Sequence, residues 1–340
     1  VDRLEEEDAL SAFPKEKKLV FYCEIGRRTR DMDDTVAGLR GRDCYSLAEG
    51  YYAYLKVLMN DEVDREAKQK RAEESIQRKF RRALFSPFAK ACRDYKLIEE
   101  GDRIAVCISG GKDSMLMAKL FQEILRHRKM HFELVFLVMD PGYNKENRAL
   151  IESNAAALGI PITVFESTIF DTVDTIEKSP CYLCARMRRG YLYSKAKELG
   201  CNKIALGHHY DDVIETILMG MLHGAQIQTM MPKLHSTNFE GMELIRPMYL
   251  VRESDICAWR DYNDLHFLQC ACHFTDTCST CHEDGTTSSK RLEVKKLIAE
   301  LKKTNPFVES NIFRSMENVN LDTVIEYKQK GVRHHFLDEY

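Results

Sequence analysis

A short glycine-rich stretch, SGGKDS, combines residue types that suit phosphate binding. Gly110 and Gly111 let the backbone approach a ligand closely, and Lys112 adds a mobile cation. An apolar strand pattern precedes the stretch and a helical pattern begins near Asp113, so the N–H groups and dipole of a helix start favour an anion there. A purely structural glycine turn is the alternative. The residues predicted to bind phosphate are Ser109, Gly110, Gly111, Lys112, Asp113 and Ser114.

A second polar stretch, GHHYDDVIET, begins at Gly207 after another apolar strand pattern, KIAL. Because the carboxyl ends of parallel strands share one edge of a sheet, this stretch should border the same crevice. Asp211 and Asp212 suit Mg²⁺, which prefers carboxylates and substrate phosphates. Helix capping by Asp211 is an alternative that is compatible with metal binding. His208 and His209 are weaker candidates, since paired histidines often only satisfy backbone groups.

The twelve cysteines form a third chemical feature. The acidic start of the sequence is unlike a secretory signal, so we expect reduced thiols that serve metal binding or catalysis rather than a disulfide framework. Cys181 and Cys184 form a CxxC at the start of a predicted helix, and Arg188 follows one turn later. A helix start and nearby arginines lower the pKa of a thiol. A separate downstream segment supplies Cys270, Cys272, Cys278 and Cys281.

The elements around these motifs alternate between apolar strands and helices. Strand patterns occur in RIAVCIS, LVFLVMD, ITVFES, KIALGH and LIRPM, and helical patterns separate them. Strands that are apolar throughout predict an α/β fold with a doubly wound, mostly parallel sheet. We expect residues 1–84 to form an N-terminal extension with a basic helix, residues 85–265 the α/β domain, and residues 266–340 a cysteine-containing helical region.

The overall composition restricts the class of protein. The chain has 340 residues, of which 44% are hydrophobic, and a formal net charge of −3. The net charge therefore does not decide whether the protein binds RNA. RNA contact would need a local basic patch such as the helix at 68–84. A solvated helix face is the alternative for that helix. No apolar run approaches the roughly 20 residues of a membrane span, so we expect a cytoplasmic protein.

The motifs resemble those of a known enzyme family. The glycine turn matches neither GxxxxGK[ST] nor GxGxxG, but SGGKDS resembles the motif of the PP-loop ATP pyrophosphatases, whose fold is similar to the adenine nucleotide alpha hydrolases. Together with CYLCARMRRG, IALGHHYDDVIET, MMPKL, LIRPM and LQC, in that order, it resembles the tRNA 2-thiocytidine synthetase family. The resemblance covers Phe80 to Asn318.

The resemblance implies ATP, Mg²⁺ and a [4Fe–4S] cluster as cofactors, with Cys181, Cys184 and Cys270 as the cluster ligands. It implies that ATP adenylates a cytidine in a tRNA anticodon loop and that sulfur then replaces the adenylated oxygen. The expected partners are tRNA and a sulfur donor, either a cysteine desulfurase or free sulfide, and a homodimer is left open. Residues expected to act in catalysis are Asp113, Asp211 and Arg188; Gly207 and Asp211 are also expected to bind the cofactor.

Three alternatives remain open at this stage. A second metal site, tetrahedral zinc at Cys272, Cys278 and Cys281, competes with free thiols in a loop. A PP-loop enzyme acting on another nucleotide, such as a uridine thiolase or a lysidine synthetase, is an alternative enzyme, although lysidine chemistry needs no sulfur. A nucleotide-binding redox sensor without turnover is the alternative outside the enzyme class.

Overall fold

The computed structural model describes residues 19–21, 44–46, 50–167, 169, 180–268, 290–338 and 340. For residues 19, 21, 44–46, 50–63 and 180–185 it describes the backbone alone. The chain divides into two compact units, Val1–Lys68 and Gln69–Tyr340. In the first unit β1 (Leu19–Phe21) pairs in parallel with β2 (Cys44–Ser46), and α1 (Gly50–Gln77) begins.

The second unit is built around a six-stranded sheet in the described part of the chain. A π-helix (Arg81–Phe85) and α2 (Ser86–Asp94) precede it. The strands are β3 (Arg103–Ile108), β4 (Glu133–Asp140), β5 (Ile162–Glu166), β6 (Lys203–Ala205), β7 (Lys233–His235) and β8 (Glu243–Ile245). Their order in the sheet is β5-β4-β3-β6-β8-β7, and only β7 is antiparallel to its neighbour among these strands.

Helices connect and cover the strands. The described helices that follow β3 are α3 (Lys112–Arg126), α4 (Lys145–Ala157), α5 (Pro180–Glu198), α6 (Tyr210–Gly224), α7 (Glu253–Tyr262), α8 (Lys290–Thr304) and α9 (Val308–Ser315). The chain ends with a 3₁₀ turn (Leu321–Thr323), an antiparallel hairpin of β9 (Glu326–Gln329) and β10 (Val332–His335), and a second 3₁₀ turn (Phe336–Asp338). This architecture confirms the predicted doubly wound, mostly parallel α/β fold.

The central strand β3 shows why the sequence forms this sheet. Its residues 104–108 are all at least nine-tenths buried, because helices cover both faces of the sheet. The core beside it contains the fully buried side chains Phe88, Phe121 and Trp259, and Phe88 meets Phe121 edge to face at 5.3 Å between ring centroids. Burial on both sides explains the continuous apolar run RIAVCI where a one-sided strand would alternate.

The sheet reverses its winding direction at β3. The chain passes from β3 to β4 and β5 on one side, and then returns to place β6 and β8 on the other side. In open α/β sheets, such a switch point leaves a crevice outside the carboxyl ends of the two adjacent strands, and ligands bind there. Both predicted polar stretches follow the strands that flank this crevice.

Within the second unit, buried polar contacts hold the last turns of α1. Lys119, whose side chain is 1% exposed, donates to Glu73 at 2.8 Å and to the carbonyl of Leu158 at 2.7 Å. The indole N–H of Trp259 donates to Ser75 Oγ at 3.1 Å. The proposed boundary at residue 84 stays a prediction. Among the described helices, none combines the length and the apolar character that a membrane span needs.

Candidate active site

A cavity of about 330 Å³ opens at the switch point between β3 and β6. It is lined by the ends of β3 and β4, by the segments that follow β3, β4 and β6, and by helices α3, α5 and α6. These are Cys107, Ile108, Ser109, Asp113, Ser114, Met139, Tyr143, Arg188, Leu192, Leu206, Gly207, His208 and Asp212. The structure thus brings the glycine turn, the GHHYDD stretch and the helix that carries CxxC to one cavity.

The glycine turn has the backbone geometry of an anion site. Gly110 has φ +85°, a left-handed conformation that favours glycine, and Gly111 is the extended N-cap of α3. Among the described residues no side chain caps this helix, and the first helical bond runs from Met115 N–H to the Gly111 carbonyl. The N–H groups of the first turn therefore remain available to a phosphate.

The hydroxyl of Ser114 stabilises this turn from within. It accepts the Ser109 N–H at 3.1 Å and donates to the Gly111 carbonyl at 3.0 Å. Its own side chain is buried, and the Ser109 hydroxyl lies 3.2 Å away. The two serines thus hold the loop in shape, and Ser109 is the more exposed of the pair.

Gly207 permits a close approach between β6 and the start of α3. A Cβ placed at Gly207 would lie 3.3 Å from Ser114 N and 3.4 Å from the carbonyl carbon of Asp113. These neighbours are backbone atoms, which cannot rotate away as a side chain would. A side chain at position 207 would therefore push the strand end away from the glycine turn.

Lys112 is held by two carboxylates. Its ammonium donates to Asp113 Oδ2 at 3.1 Å and to Glu253 Oε1 at 3.3 Å. Burial lowers the pKa of Lys112, but the charges of Asp113 and Glu253 outweigh it and raise the pKa, so the side chain stays cationic. Glu253 in turn accepts a hydrogen bond from Lys295 at 2.5 Å. A phosphate can replace the carboxylates around this lysine.

The carboxylates of the site divide into two orientations. Asp113 and Asp212 line the cavity, and Asp113 Oδ1 is buried without a hydrogen-bond partner among the described residues. Asp211 instead accepts the backbone N–H of Glu253 at 2.7 Å and lies 3.4 Å from Arg252. Asp211 thus fixes the start of α7, whereas Asp113 and Asp212 offer oxygen to a ligand or a hard cation.

The two histidines occupy different environments. His209 is buried, its Nε2 lies 3.5 Å from Asp212 Oδ2 and 4.0 Å from Asp113 Oδ1, and it caps α6. His208 lines the cavity. Burial, followed by the charge of Arg246, lowers the pKa of His208 to about 4, so its ring is neutral at physiological pH. The sequence motif alone does not distinguish these roles.

Two arginines near the site, Arg291 and Arg246, were not among the residues predicted from the motifs. Arg291, at the start of α8, donates to Asp212 Oδ1 at 2.7 Å and to Glu215 at 3.1 Å. Arg246 is 7% exposed and donates to the carbonyl of Met231. Its position within LIRPM was a possible signal, since a buried arginine at a strand end needs a partner. Arg291 had no such signal, because it follows 20 residues that contain no strand or helix pattern.

The cysteine predictions are only partly within the described residues. Cys181 and Cys184 lie in the first turns of α5, and Arg188 on the same helix lines the cavity. Leu268 donates its N–H to the Gly110 carbonyl at 3.3 Å, so the chain reaches the glycine turn two residues before Cys270. Cys270, Cys272, Cys278 and Cys281 lie outside the described residues, and so does the zinc prediction.

Cys107 is the one cysteine among the described side chains that lines this cavity. It is 7% exposed, and burial raises the pKa of its thiol to about 12. The thiol is therefore protonated at physiological pH and is a poor nucleophile. Cys107 therefore packs like a small hydrophobic side chain within β3.

Comparisons with known proteins agree with this arrangement. A family model described as a PP-loop domain matches residues 72–272. A tRNA-cytidine(32) 2-sulfurtransferase of Syntrophotalea carbinolica is 36% identical over 234 residues, which cover 68% of this chain and 86% of the relative. One from Geobacter sulfurreducens is 35% identical, covering 68% and 87%.

A solved structure supports the fold. The U34-tRNA thiolase NcsA from Methanococcus maripaludis, solved with its [4Fe–4S] cluster, superposes with a TM-score of 0.53 at 21% identity. The match covers 68% of this chain and 76% of the thiolase. At that identity the structural match shows a shared fold. The family model and the more similar sequences show to which family the chain belongs. The chain therefore belongs to the PP-loop family and, within it, to the tRNA 2-thiocytidine synthetases that its motifs resemble.

Proposed function

We propose that this enzyme uses ATP to replace the C2 oxygen of a cytidine in a tRNA anticodon loop with sulfur, in the cytoplasm. The observation that carries the proposal is the composition of one cavity. It joins an anion-binding glycine turn to the helix that begins with CxxC, and the curated relatives are named for this sulfur transfer. An ATP-binding turn and a helix that carries two cysteines are what adenylation followed by sulfur insertion would require.

The first step is adenylation of the base. The phosphates of ATP would bind the free N–H groups at the start of α3, and Lys112 would leave Glu253 to neutralise them. The cytidine C2 oxygen then attacks the α-phosphorus, the bond between the α- and β-phosphates breaks, and pyrophosphate leaves. The C2 oxygen becomes part of a phosphate ester, so AMP can leave from C2 later.

The carboxylate oxygens that line the cavity are suitable ligands for a magnesium ion. Mg²⁺ is commonly held by one or two protein carboxylates together with substrate phosphates. Asp113, with its unpaired buried oxygen, and Asp212 border the glycine turn and are the residues we assign to that role. Asp211 supports the site through α7. Arg291 holds Asp212 in position through its hydrogen bond to Oδ1.

An iron–sulfur cluster would be held by Cys181, Cys184 and Cys270. The two cysteines of CxxC lie at a helix start, which stabilises thiolates, and Leu268 lies against Gly110 shortly before Cys270 in the sequence. A [4Fe–4S] cluster with three protein ligands would supply an iron to which sulfide could bind as a deprotonated nucleophile. The sulfur attacks C2, and AMP departs with the original oxygen. The sulfur comes from a cysteine desulfurase or from free sulfide.

Arg188 would bind a phosphate of ATP or of the tRNA close to the reacting base. It lines the cavity and lies one turn after Cys184 on α5. Its planar guanidinium suits phosphate oxygens because it presents paired N–H donors in a fixed geometry. In this role Arg188 would connect the phosphate-binding turn with the helix that carries Cys181 and Cys184.

The test is nucleoside analysis of tRNA after the reaction. Protein purified without oxygen is incubated with tRNA, ATP, Mg²⁺ and sulfide, and the digested tRNA is examined by mass spectrometry. We expect 2-thiocytidine, with tRNA-dependent release of pyrophosphate. Cys181→Ser should abolish the product, while Cys257→Ser, on α7, should retain it. Thiouridine as the product would redirect the proposal to a uridine thiolase, and no tRNA-dependent turnover would favour a redox sensor.

A further inference from the structure

A second cavity, of about 660 Å³, lies near the amino ends of β3 and β4, whereas the candidate active site lies at the carboxyl ends of the strands. Its lining comes from the π-helix, the end of α2, the segment that enters β3, the end of α3 and the loop that follows α3. The active site lies at the start of α3. Because α3 has 15 residues, each rising about 1.5 Å, the two sites are separated by about 22 Å along that helix.

The floor of this cavity is apolar and contains aromatic rings. Phe85 and Phe132 are each 8% exposed, and Ile98 is 7% exposed. His127 lies at 5.2 Å from Phe85 between ring centroids, and the Arg81 guanidinium lies 5.4 Å from the Phe85 ring. Flat side chains of this kind are the surfaces on which proteins stack unpaired nucleobases.

The rim of the cavity carries uncompensated positive charge. Among the described residues no carboxylate forms an ion pair with Arg81, Lys96 or Lys129, which all line it. The acidic lining residues are engaged elsewhere: Glu99 binds Lys203 at 2.8 Å, and Glu100 binds His131 at 3.0 Å. An alternative explanation for this charge is that cations at the ends of α2 and α3 stabilise the helix dipoles. That explanation does not account for the cavity that these cations surround.

The backbone supports a functional reading of the same place. Arg81 and Phe85 belong to a five-residue π-helix, Arg81–Phe85. Such segments are rare, because they interrupt the regular α-helical hydrogen bonding. They are found frequently at functional sites, where they give particular side chains a new position. Here the irregular turn contributes both a cation and an aromatic ring to the cavity.

We propose that this cavity is a second RNA-binding site, which receives one unstacked nucleotide of the bound tRNA. The base packs in the cavity against Phe85 and the exposed ring of His127, and the flanking phosphates lie between Arg81, Lys96 and Lys129. The proposal rests on the proposed function, since it takes the occupant from the tRNA substrate. Its consequence is that the enzyme holds its tRNA at a point about 22 Å from the modified base, as well as at the base itself.

The experiment measures the affinity for unmodified full-length tRNA by fluorescence anisotropy at several salt concentrations. Arg81→Glu tests the rim and Arg82→Glu is its control, because Arg82 is the exposed neighbour that does not line the cavity. Phe85→Leu tests the floor and Phe88→Leu is its control on α2. ATP binding by each variant, at the distant site, verifies that the variant is folded.

We expect Arg81→Glu to weaken tRNA binding about tenfold or more and to reduce its salt slope by about one. Phe85→Leu should weaken it about 5- to 100-fold, the range for loss of one stacked base. Both controls should stay within about twofold of the unsubstituted protein. Equal effects of Arg81→Glu and Arg82→Glu, or of Phe85→Leu and Phe88→Leu, would overturn the proposal.

Three further outcomes show how this inference and the proposed function stand or fail relative to each other. If the unsubstituted protein forms 2-thiocytidine while all four variants keep its tRNA affinity, the second site is wrong and the proposed function stands. If the protein binds no tRNA, both are wrong. If millimolar CMP or AMP binds in an Arg81-dependent way while tRNA binding is independent of Arg81, a free nucleotide occupies the cavity and the RNA proposal fails.

Discussion

Replacing Gly110 with alanine should destabilise the protein as well as its nucleotide site. Gly110 has φ +85°, and left-handed backbone costs a residue with a Cβ about 1–2 kcal/mol. The new Cβ would also lie 2.5 Å from Ile151 Cγ1 and 2.9 Å from Cδ1. Ile151 is 1% exposed, and overpacking a filled core costs about 1–3 kcal/mol. We therefore expect the free energy of unfolding to fall by about 2–5 kcal/mol.

Urea denaturation measures this change directly. The control is Gly111→Ala, because Gly111 has φ −80° and the nearest atoms to its added Cβ lie 3.7 Å away, so its stability should change by less than about 1 kcal/mol. The combination of Gly110→Ala with Ile151→Ala should be less destabilising than the sum of the single changes by about 1–3 kcal/mol, since the collision is relieved. An unchanged stability for Gly110→Ala, or strict additivity in the pair, would refute the reasoning.

Three other perturbations have defined outcomes. The pKa of His208 is lowered to about 4 in the folded protein. Below the ordinary pKa of histidine, the unfolded chain therefore binds a proton that the folded protein does not. The free energy of unfolding should fall by about 2 kcal/mol from pH 7 to pH 5 for this reason. In His208→Asn that dependence, measured by urea denaturation without metal, should shrink, and an identical pH profile would contradict it. Ser75→Ala leaves the indole N–H of Trp259 unpaired and should cost about 1–3 kcal/mol in the same assay; a cost near zero would show that another group replaces the hydroxyl. Arg291→Ala removes the cation from Asp212 and should lower kcat for pyrophosphate release at least about tenfold, with Arg291→Lys intermediate; unchanged kcat would remove Arg291 from the site.

The regular part of the fold was predictable from local patterns. The apolar runs before Ser109 and Gly207 became β3 and β6, which flank the switch point, because a strand buried on both faces needs a continuous apolar sequence. The antiparallel strand β7 (Lys233–His235) was not predicted as a strand. It is three residues long and partly exposed, so its sequence carries too few apolar positions to indicate a strand.

The site was predictable to the level of its motifs and no further. Both polar stretches line one cavity, but adjacent aspartates in the second stretch face different ways: Asp212 lines the cavity and Asp211 binds the start of α7. That difference depends on where a helix that begins 42 residues after Asp211 is placed, which no local pattern contains. Glu253 and Arg291 reach the site from α7 and α8 for the same reason. The roles assigned to these residues stay proposals.

The central claim is that the oxygen removed from cytidine leaves as part of AMP. It can be tested with tRNA that carries a heavy oxygen isotope at C2 of the cytidine, incubated with the protein, ATP, Mg²⁺ and sulfide under anaerobic conditions. Mass spectrometry of the AMP and of the nucleosides follows both products. The account predicts one heavy oxygen in AMP for each 2-thiocytidine formed. Formation of 2-thiocytidine with unlabelled AMP, and with the heavy oxygen in water, would contradict it.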